Sequence, residues 1–292
     1  MLYLIDASIY IFRAWFSVPS TLTGNNGQSV NAAYGFVRFL TEFLEQTHPK
    51  KVVIAFDESL TRSFRNDIYP QYKMNRELPP EALKLQFELC RRIAESLGLY
   101  CISSDRYEAD DLIGTYAVEA QKNDVPVTIV SADKDLAQLL TLKDQLWDFA
   151  RRKYYQIKDI EEKFGVQPDQ ITDFLGLCGD VVDNIPGVPG IGAKTAAVIL
   201  QVYSDMDSVY QNLESLAELK VRGAKTLASK LSEHEAQARL SKKLATIECN
   251  APIDCDLNNA TRKKMNNGML TEISVELGGR ANGLFERISH TI

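Results

Sequence analysis

The chain has 292 residues, of which 45% are hydrophobic and 25% charged, and its formal net charge at pH 7 is −6. Such a composition is typical of a globular protein with a full core, and no apolar run approaches the roughly 20 residues of a membrane span. Five widely spaced cysteines and three scattered histidines argue against a disulfide framework, a zinc site and a Ser-His-Asp hydrolase. The N-terminus carries no signal-peptide pattern, which predicts a cytoplasmic protein.

Strands and helices alternate in the first half of the chain. Short apolar runs predict strands, and apolar residues at helical spacing predict helices. The predicted strands are a run ending at Asp6, Val52–Phe56 and Val127–Ser131, and the predicted helices are Asn31–Glu45, Ala109–Lys122 and Leu136–Leu140. This alternation predicts an α/β fold with a central, mainly parallel sheet covered by helices.

Residues 61–80 interrupt the alternation with basic and aromatic side chains, and an amphipathic helix follows Pro80. A solvated surface loop is one interpretation of this composition. The other is a segment that grips single-stranded nucleic acid, with cations for phosphates and rings for bases.

From about Ile171 onward the pattern is helical and no strand is predicted. We therefore divide the chain into an α/β region, 1–170, and a helical region, 171–292. The Gly- and Pro-rich stretch from Gly187 to Gly192 precedes a predicted helix, Ala193–Gln201. It is either a simple connection between helices or a site whose free N–H groups hold a phosphate backbone.

Acidic residues follow three predicted strands, at Asp6, at Asp57, and at Asp133 with Asp135. The carboxyl ends of parallel strands lie along one edge of a sheet, where ligands of open α/β folds bind. Like charges gathered there repel one another, and a divalent cation with oxygen ligands is the natural counter-ion.

Two further motifs add carboxylates. The run Tyr107–Asp111 contains three acids at the start of a predicted helix, where capping is the alternative role. Asp180 and Asp183 share a face if their turn is helical. Two ions roughly 3.5–4 Å apart would relieve the repulsion and would support phosphodiester hydrolysis. The nine candidate metal ligands are Asp6, Asp57, Glu108, Asp110, Asp111, Asp133, Asp135, Asp180 and Asp183.

Seven stretches, in this order along nearly the whole chain, resemble the 5′-nuclease family, which includes flap endonucleases, phage 5′–3′ exonucleases and the N-terminal domain of bacterial DNA polymerase I. They are LIDAS at Leu4, AYGF at Ala33, AFD at Ala55, YPQYKMNR at Tyr69, YEADD at Tyr107, SADKDLAQLL at Ser131 and GDVVDNIPGVPGIGAKTA at Gly179. The resemblance implies a stand-alone, monomeric, metal-dependent 5′–3′ exonuclease or flap endonuclease. Its substrate would be DNA with 5′ flaps or free 5′ ends.

The resemblance also implies roles for individual residues. Two Mg²⁺ or Mn²⁺ ions would be bound by the nine acids, with Asp111 and Asp133 essential for cleavage and Lys73 at the scissile phosphate. A clamp at about 61–98 and a helix–three-turn–helix at about 173–203, the latter with a potassium ion, would bind DNA. The implied DNA contacts are Tyr34, Arg65, Tyr72, Lys73, Arg76, Gly187, Gly190, Gly192, Lys194 and Thr195.

Two other functions are alternatives to a 5′ nuclease. A DNA junction-binding protein that has lost catalysis would lack some of the carboxylates, and here all nine are present. A haloacid-dehalogenase-type phosphatase needs an Asp-x-Asp nucleophile after its first strand, and Asp6-Ala7-Ser8 lacks the second acid.

Overall fold

The structure is a computed structural model and describes residues 1–58 and 63–291. The beginning of the predicted clamp at residue 61, with its Arg62, therefore lies outside the described residues. The rest of the clamp segment is described.

A six-stranded sheet forms the centre of the α/β region, in the order β3-β2-β1-β4-β5-β6. The first five strands are parallel to their neighbours, and β6 pairs antiparallel with β5. This confirms the predicted mainly parallel sheet. The strands are β1 Leu2–Asp6, β2 Val52–Asp57, β3 Tyr100–Ser104, β4 Val127–Val130, β5 Gln145–Asp148 and β6 Lys153–Tyr155.

Helices cover both faces of the sheet and make up the described part of the second half, where Ile171 to Thr291 contain no strand. None of the described helices has the length and hydropathy to cross a bilayer. The helices are α1 Ala7–Ser17, α2 Asn31–Thr47, α3 Phe64–Ile68, α4 Glu81–Ser96, α5 Ala109–Lys122, α6 Ile157–Phe164, α7 Ile171–Cys178, α8 Ala193–Val202, α9 Met206–Gln211, α10 Leu227–Glu233, α11 Glu235–Ala245, α12 Asn267–Glu276 and α13 Asn282–Ser289.

The side chains of successive strand residues point to opposite faces of the sheet and therefore pack into two different hydrophobic cores. Leu4 of β1 packs into a core that includes α5, whereas its neighbour Ile5 packs into a core that includes α1 and α2. The first of these cores continues into the helical region through residues such as Ile199 of α8 and Leu244 of α11. One hydrophobic core therefore spans both regions of the chain.

The strand order places a crevice at the edge where the acids were expected. From β1 the chain builds β2 and β3 on one side, and it then crosses back to build β4 on the other side. This reversal of strand order is a switch point, and ligands of open α/β sheets bind at the carboxyl ends of the strands there. Asp6 ends β1, and Asp133 follows β4 by three residues.

Some local predictions differ from the structure. The helix predicted at Leu136–Leu140 is a 3₁₀ helix over Asp135–Leu139, because a single short turn follows β4 before the chain enters β5. The turn at Asp180 is not helical, since Asp180 and Ile185 exchange backbone hydrogen bonds of 2.9 and 2.7 Å across it. Helix α5 has the predicted bounds.

Gly98 lies in the turn between α4 and β3, where both the backbone conformation and a close backbone neighbour favour glycine. At Gly27 only the backbone conformation does. Both have a left-handed backbone, with φ of 78° and 77°. A Cβ on Gly98 would lie 2.1 Å from the carbonyl oxygen of Lys263, whereas a Cβ on Gly27 would meet nothing within 4 Å.

We predict that Gly98→Ala lowers the free energy of unfolding by about 3 kcal/mol, from the left-handed conformation plus displacement of the Lys263 backbone. The matched control Gly27→Ala carries only the conformational cost, about 1 kcal/mol. Urea denaturation of both variants measures the difference. Equal losses would show that the close approach at Gly98 costs nothing.

Candidate metal centre

Six carboxylates, five of them from predicted metal ligands and the sixth from Glu77, line one cavity of about 700 Å³ at the carboxyl edge of the sheet. Asp6 and Asp57 end β1 and β2, Asp133 follows β4, and Glu108 and Asp110 stand at the start of α5. Three strands and one helix therefore bring together acids that are far apart in sequence. These five were among the predicted metal ligands.

Asp6 lies at the bottom of the cavity and is 5% exposed. Its Oδ1 accepts a hydrogen bond of 3.1 Å from the N–H of Ser8, and its Oδ2 accepts one of 3.2 Å from the hydroxyl of Ser131. Burial, followed by the charges of Asp133 and Asp57, raises the pKa of Asp6 to about 7. The site thus opposes ionisation of this carboxyl group unless a cation compensates.

Three neighbouring acids share this property. Burial is the largest cause in each case, and it raises the pKa of Asp110 well above its ordinary value, with Asp133 and Asp6 adding to the effect. Burial also raises the pKa of Asp133. It raises the pKa of Asp135 to about 7, with the charge of Asp133 as the next cause. Several carboxylates therefore destabilise one another in a confined space.

The donor set fits a hard divalent cation such as Mg²⁺ or Mn²⁺, which prefers carboxylate oxygens. Oδ1 of Asp135 is buried and has no hydrogen-bond partner among the described residues, so it is available as a ligand. Within residues 1–58 and 63–291, no three His, Cys, Asp or Glu side chains form a ready-made coordination cage. The acids therefore surround the cavity rather than converge on one point.

Glu108 is the most heavily engaged of the five predicted ligands in the cavity. Its Oε1 accepts a hydrogen bond of 2.8 Å from Nζ of Lys73, and its Oε2 accepts bonds from Arg65 and from the hydroxyl of Tyr72, at 3.2 and 3.1 Å. Lys73 thereby reaches the cavity wall.

Lys73 is held in place by its backbone as well as by its side chain. It adopts a left-handed conformation with φ of 54°, and its N–H donates 3.0 Å to the carbonyl oxygen of Asp183. Nζ lies 3.7 Å from Oδ2 of Asp183. Burial opposes the charged form, but the nearby charges of Glu108, Tyr72 and Asp183 outweigh it and raise the pKa of Lys73. Lys73 is therefore a cation at the mouth of the acidic cavity.

Asp180 and Asp183 form a second acidic group, and basic side chains neutralise it. Nζ of Lys134 donates 2.8 Å to Oδ2 of Asp180, and Arg76 pairs with Asp183. Burial raises the pKa of Asp180, but the hydrogen bond and charge of Lys134, together with the hydrogen bonds from the N–H groups of Val182 and Asp183, outweigh it, so the net shift is downward. The three-residue spacing of Asp180 and Asp183 would place them on one face of a helix. Because the turn is not helical, they do not share such a face.

The structure contradicts the predictions for Asp111 and Arg65. Asp111 is completely buried, and each of its oxygens accepts two hydrogen bonds, from Arg65 and from the N–H groups of Glu108 and Glu248. No oxygen remains for a metal ion. Arg65 is 2% exposed and buried with it, so it cannot contact DNA. The two residues form an internal ion pair instead.

Of the other predicted DNA contacts, Tyr72 and Arg76 line the cavity, whereas Tyr34 is half-buried on α2 and lies outside it. The structure contradicts the predicted DNA contact at Gly187. Gly187 is buried, its N–H donates to the hydroxyl of Ser241 at 3.0 Å, and its carbonyl oxygen accepts from Gln237 at 2.6 Å. Its backbone is therefore used within the protein.

The remaining predicted contacts stand between α7 and α8 or at the start of α8. Gly190, Gly192 and Lys194 are exposed, and Thr195 is half-buried. Gly192 is the N-cap residue of α8, and its carbonyl oxygen accepts the N–H of Thr195 at 2.9 Å. This surface is open to a ligand.

Three polar residues of the site were not predicted. Ser8 and Ser131 donate to or cap the acids, and Lys134 pairs with Asp180. All three lie within two residues of a predicted ligand, and this proximity was the available signal. Their partners, however, lie up to 125 residues away in sequence, and the local pattern does not reveal them.

We predict that Asp111→Asn destabilises the metal-free protein by about 3–5 kcal/mol, because it leaves the buried guanidinium of Arg65 with only Glu108, which Lys73 shares, as a counter-charge. Thermal or urea unfolding in EDTA measures the loss. The matched control is Asp133→Asn, which removes a carboxylate that repels its neighbours and should leave stability unchanged or raise it. A stable Asp111→Asn protein would argue against a structural role for this pair.

Comparisons with known proteins identify relatives over most of the chain. Residues 1–165 match the family model for the 5′-3′ exonuclease N-terminal resolvase-like domain, and residues 166–268 match that for the 5′-3′ exonuclease C-terminal SAM fold. The 5′-3′ exonuclease of Buchnera aphidicola subsp. Acyrthosiphon pisum is 34% identical over 262 residues, or 89% of this chain and 91% of that protein. The DNA polymerase I of Bacillus subtilis is 37% identical over 292 residues, or 98% of this chain and 32% of that protein.

The chain spans only a quarter to a third of the length of several DNA polymerase I relatives, from 25% to 32%. Among solved structures, T5 5′-exonuclease with bound zinc ions superposes with a TM-score of 0.67 at 22% identity, covering 94% of this chain and 99% of that one. The catalytic core of Rad2 in complex with DNA substrate gives 0.65 at 16% identity, covering 99% and 92%. These likenesses establish the fold. Because the two family models together cover residues 1–268, the chain belongs to the 5′-3′ exonuclease family.

Proposed function

We propose that this chain is a structure-specific 5′ nuclease that hydrolyses phosphodiester bonds at 5′ flaps and 5′ ends of branched or nicked DNA. It would act in DNA replication and repair and use two divalent metal ions. The observation that carries this proposal is the cavity where strand-end carboxylates and Lys73 meet. The family membership supports the same chemistry.

The two acidic groups would hold the two ions. Asp6, Asp57, Glu108, Asp110 and Asp133 surround the cavity, and Asp135, Asp180 and Asp183 form the neighbouring group. Bound there, Mg²⁺ or Mn²⁺ would supply Lewis-acid stabilisation of the negative charge that develops on the phosphate during hydrolysis. Asp111 is left out of this set because its oxygens are fully used by the protein.

Lys73 and Arg76 would bind and orient the phosphate to be cleaved. Nζ of Lys73 lies 2.8 Å from Glu108 in one acidic group and 3.7 Å from Asp183 in the other. A phosphodiester held between the two groups would therefore come within reach of this ammonium group. Preorganised cations aimed at a developing charge are a large source of transition-state stabilisation.

The rim of the cavity supports the approach of unpaired nucleotides. Phe16, Met74 and Leu78 line the opening and are 81%, 70% and 65% exposed. The exposed ring of Phe16 offers a surface on which a base of a single strand can stack, and Met74 and Leu78 offer apolar contacts beside it. Phe16 lies on α1, and the other two residues lie in the clamp segment, so an unpaired strand would pass between these elements.

The helix–three-turn–helix would hold the duplex part of the substrate. The exposed residues Gly190, Gly192 and Lys194 at the start of α8 support contacts with a phosphate backbone, and a potassium ion there would be bound by carbonyl groups. T5 D15 flap endonuclease and the Rad2 core were solved in complex with DNA. Monomeric action and recognition by backbone shape rather than by sequence complete the proposal.

Cleavage of a 5′-labelled flap substrate in Mg²⁺ or in EDTA tests this function. We expect the wild-type protein to release a flap-sized product only in Mg²⁺, and Asp133→Asn to lose at least about 100-fold in rate because a metal ligand is missing. The variant should still bind the substrate. Binding without cleavage by the wild-type protein, whatever the divalent metal, would instead indicate a DNA junction-binding protein.

Lys73→Ala tests the proposed phosphate contact. We expect the single-turnover rate to fall about 100-fold, with DNA affinity in EDTA changed much less, because the interaction strengthens as charge develops. The matched control is Lys143→Ala, another lysine paired with an aspartate, Asp124, on the surface. An unchanged rate for Lys73→Ala would remove this residue from the mechanism.

A further inference from the structure

Lys134 occupies an unusual position between the two acidic groups. It stands between Asp133 and Asp135 in the segment after β4, and its Nζ donates a hydrogen bond of 2.8 Å to Oδ2 of Asp180. Asp180 is 7% exposed and belongs to the turn after α7. The ion pair therefore joins the sheet edge to the helical region at the second acidic group.

The other oxygen of Asp180 is already used by its own turn. Oδ1 accepts the N–H groups of Val182 and Asp183, at 2.7 and 3.3 Å. Oδ2 is thus the oxygen through which Asp180 would bind a divalent ion, and the ammonium group of Lys134 holds that oxygen. Oδ1 of Asp135 is buried nearby without a hydrogen-bond partner among the described residues.

Three carboxylates of the first acidic group show the opposite arrangement. Within the described residues, Asp6, Asp110 and Asp133 form no ion pair with a lysine or arginine. A divalent ion bound by these three carboxylates displaces no basic side chain from them, whereas Glu108 in the same group is paired with Lys73 and Arg65. An ion entering the second group must first displace Lys134.

We propose that Lys134 is a positioning residue that competes with the second divalent ion for Asp180. The inference rests on the proposed two-ion function and adds that the ion bound through Asp180 is held more weakly because of this competition. The Lys134 side chain is 44% exposed and can swing into water when the ion arrives. Partly exposed ion pairs are weak, so the competition lowers the affinity of the second ion without preventing its binding.

Calorimetric titration of the metal-free protein with Mn²⁺ tests the inference without any cleavage assay. For Lys134→Met, which keeps the length of the side chain but removes its charge, we expect the second ion to bind about three- to tenfold more tightly, because a weak competing ion pair is lost. The first ion should bind as before. Lys134→Arg keeps the cation and should resemble the wild-type protein.

Lys143→Met is the matched control, since it removes an ammonium group paired with Asp124 on the surface, and it should leave both affinities unchanged. Thermal unfolding in EDTA checks that each variant folds, with Lys134→Gln as a second charge-removing variant. An unchanged or weaker affinity for the second ion in folded Lys134→Met and Lys134→Gln would overturn the inference alone. A wild-type protein that binds no second ion would overturn both the inference and the two-ion function on which it rests.

Discussion

The buried guanidinium of Arg65 joins three parts of the chain that are distant in sequence. It donates to Asp111 and Glu108 on α5, and to the carbonyl oxygens of Leu244 and Thr246 at the end of α11. These five hydrogen bonds use all five of its N–H donors. A charge removed from water is tolerated only when it is paired and hydrogen-bonded this completely. The clamp helix α3, the start of α5 and the end of α11 must therefore take up their positions together.

The geometry of the candidate metal centre depends on this arrangement. Asp111 receives the guanidinium and also accepts the N–H of Glu108, which closes a capping box at the start of α5. The same first turn carries Glu108 and Asp110 into the cavity. One buried ion pair thus anchors the element that supplies two candidate ligands, while the strand ends supply the others. The fold holds these acids close to one another despite their repulsion, which is common where a site is built for a ligand rather than for stability.

The two acidic groups are balanced in different ways. Around Asp6 the carboxylates lie close together, and their pKa values are raised first by burial and then by the charges of their neighbours. Around Asp180 and Asp183 the charges are neutralised by lysine and arginine side chains from the clamp and from the segment after β4. The net charge of −6 therefore conceals an uneven distribution, in which the cations Lys73 and Arg76 lie close to the acids.

Periodicity and strand ends were sufficient to predict much of the sheet and the convergence of Asp6, Asp57 and Asp133, because parallel strands must share an edge. The sequence could not show which acids of the motif Tyr107–Asp111 face the cavity. Asp111 is paired with Arg65 instead, and Arg65 lies 46 positions earlier in the chain. Gly187 was misassigned for the same reason, as its partners Ser241 and Gln237 come from another helix. Local patterns place side chains on elements, whereas hydrogen-bond partners depend on tertiary packing.

The hydrophobic core that continues from β1 through α8 and α11 joins the two regions that the family models match. The family models meet between residues 165 and 166, yet Leu4 and Leu244 belong to the same packed interior, and Arg65 is sealed by carbonyl groups from the far side of that boundary. Separation would expose apolar surface on both pieces and would strand a buried charge. The boundary therefore separates two regions that the family models describe separately, whereas the shared core makes the two regions one cooperative folding unit.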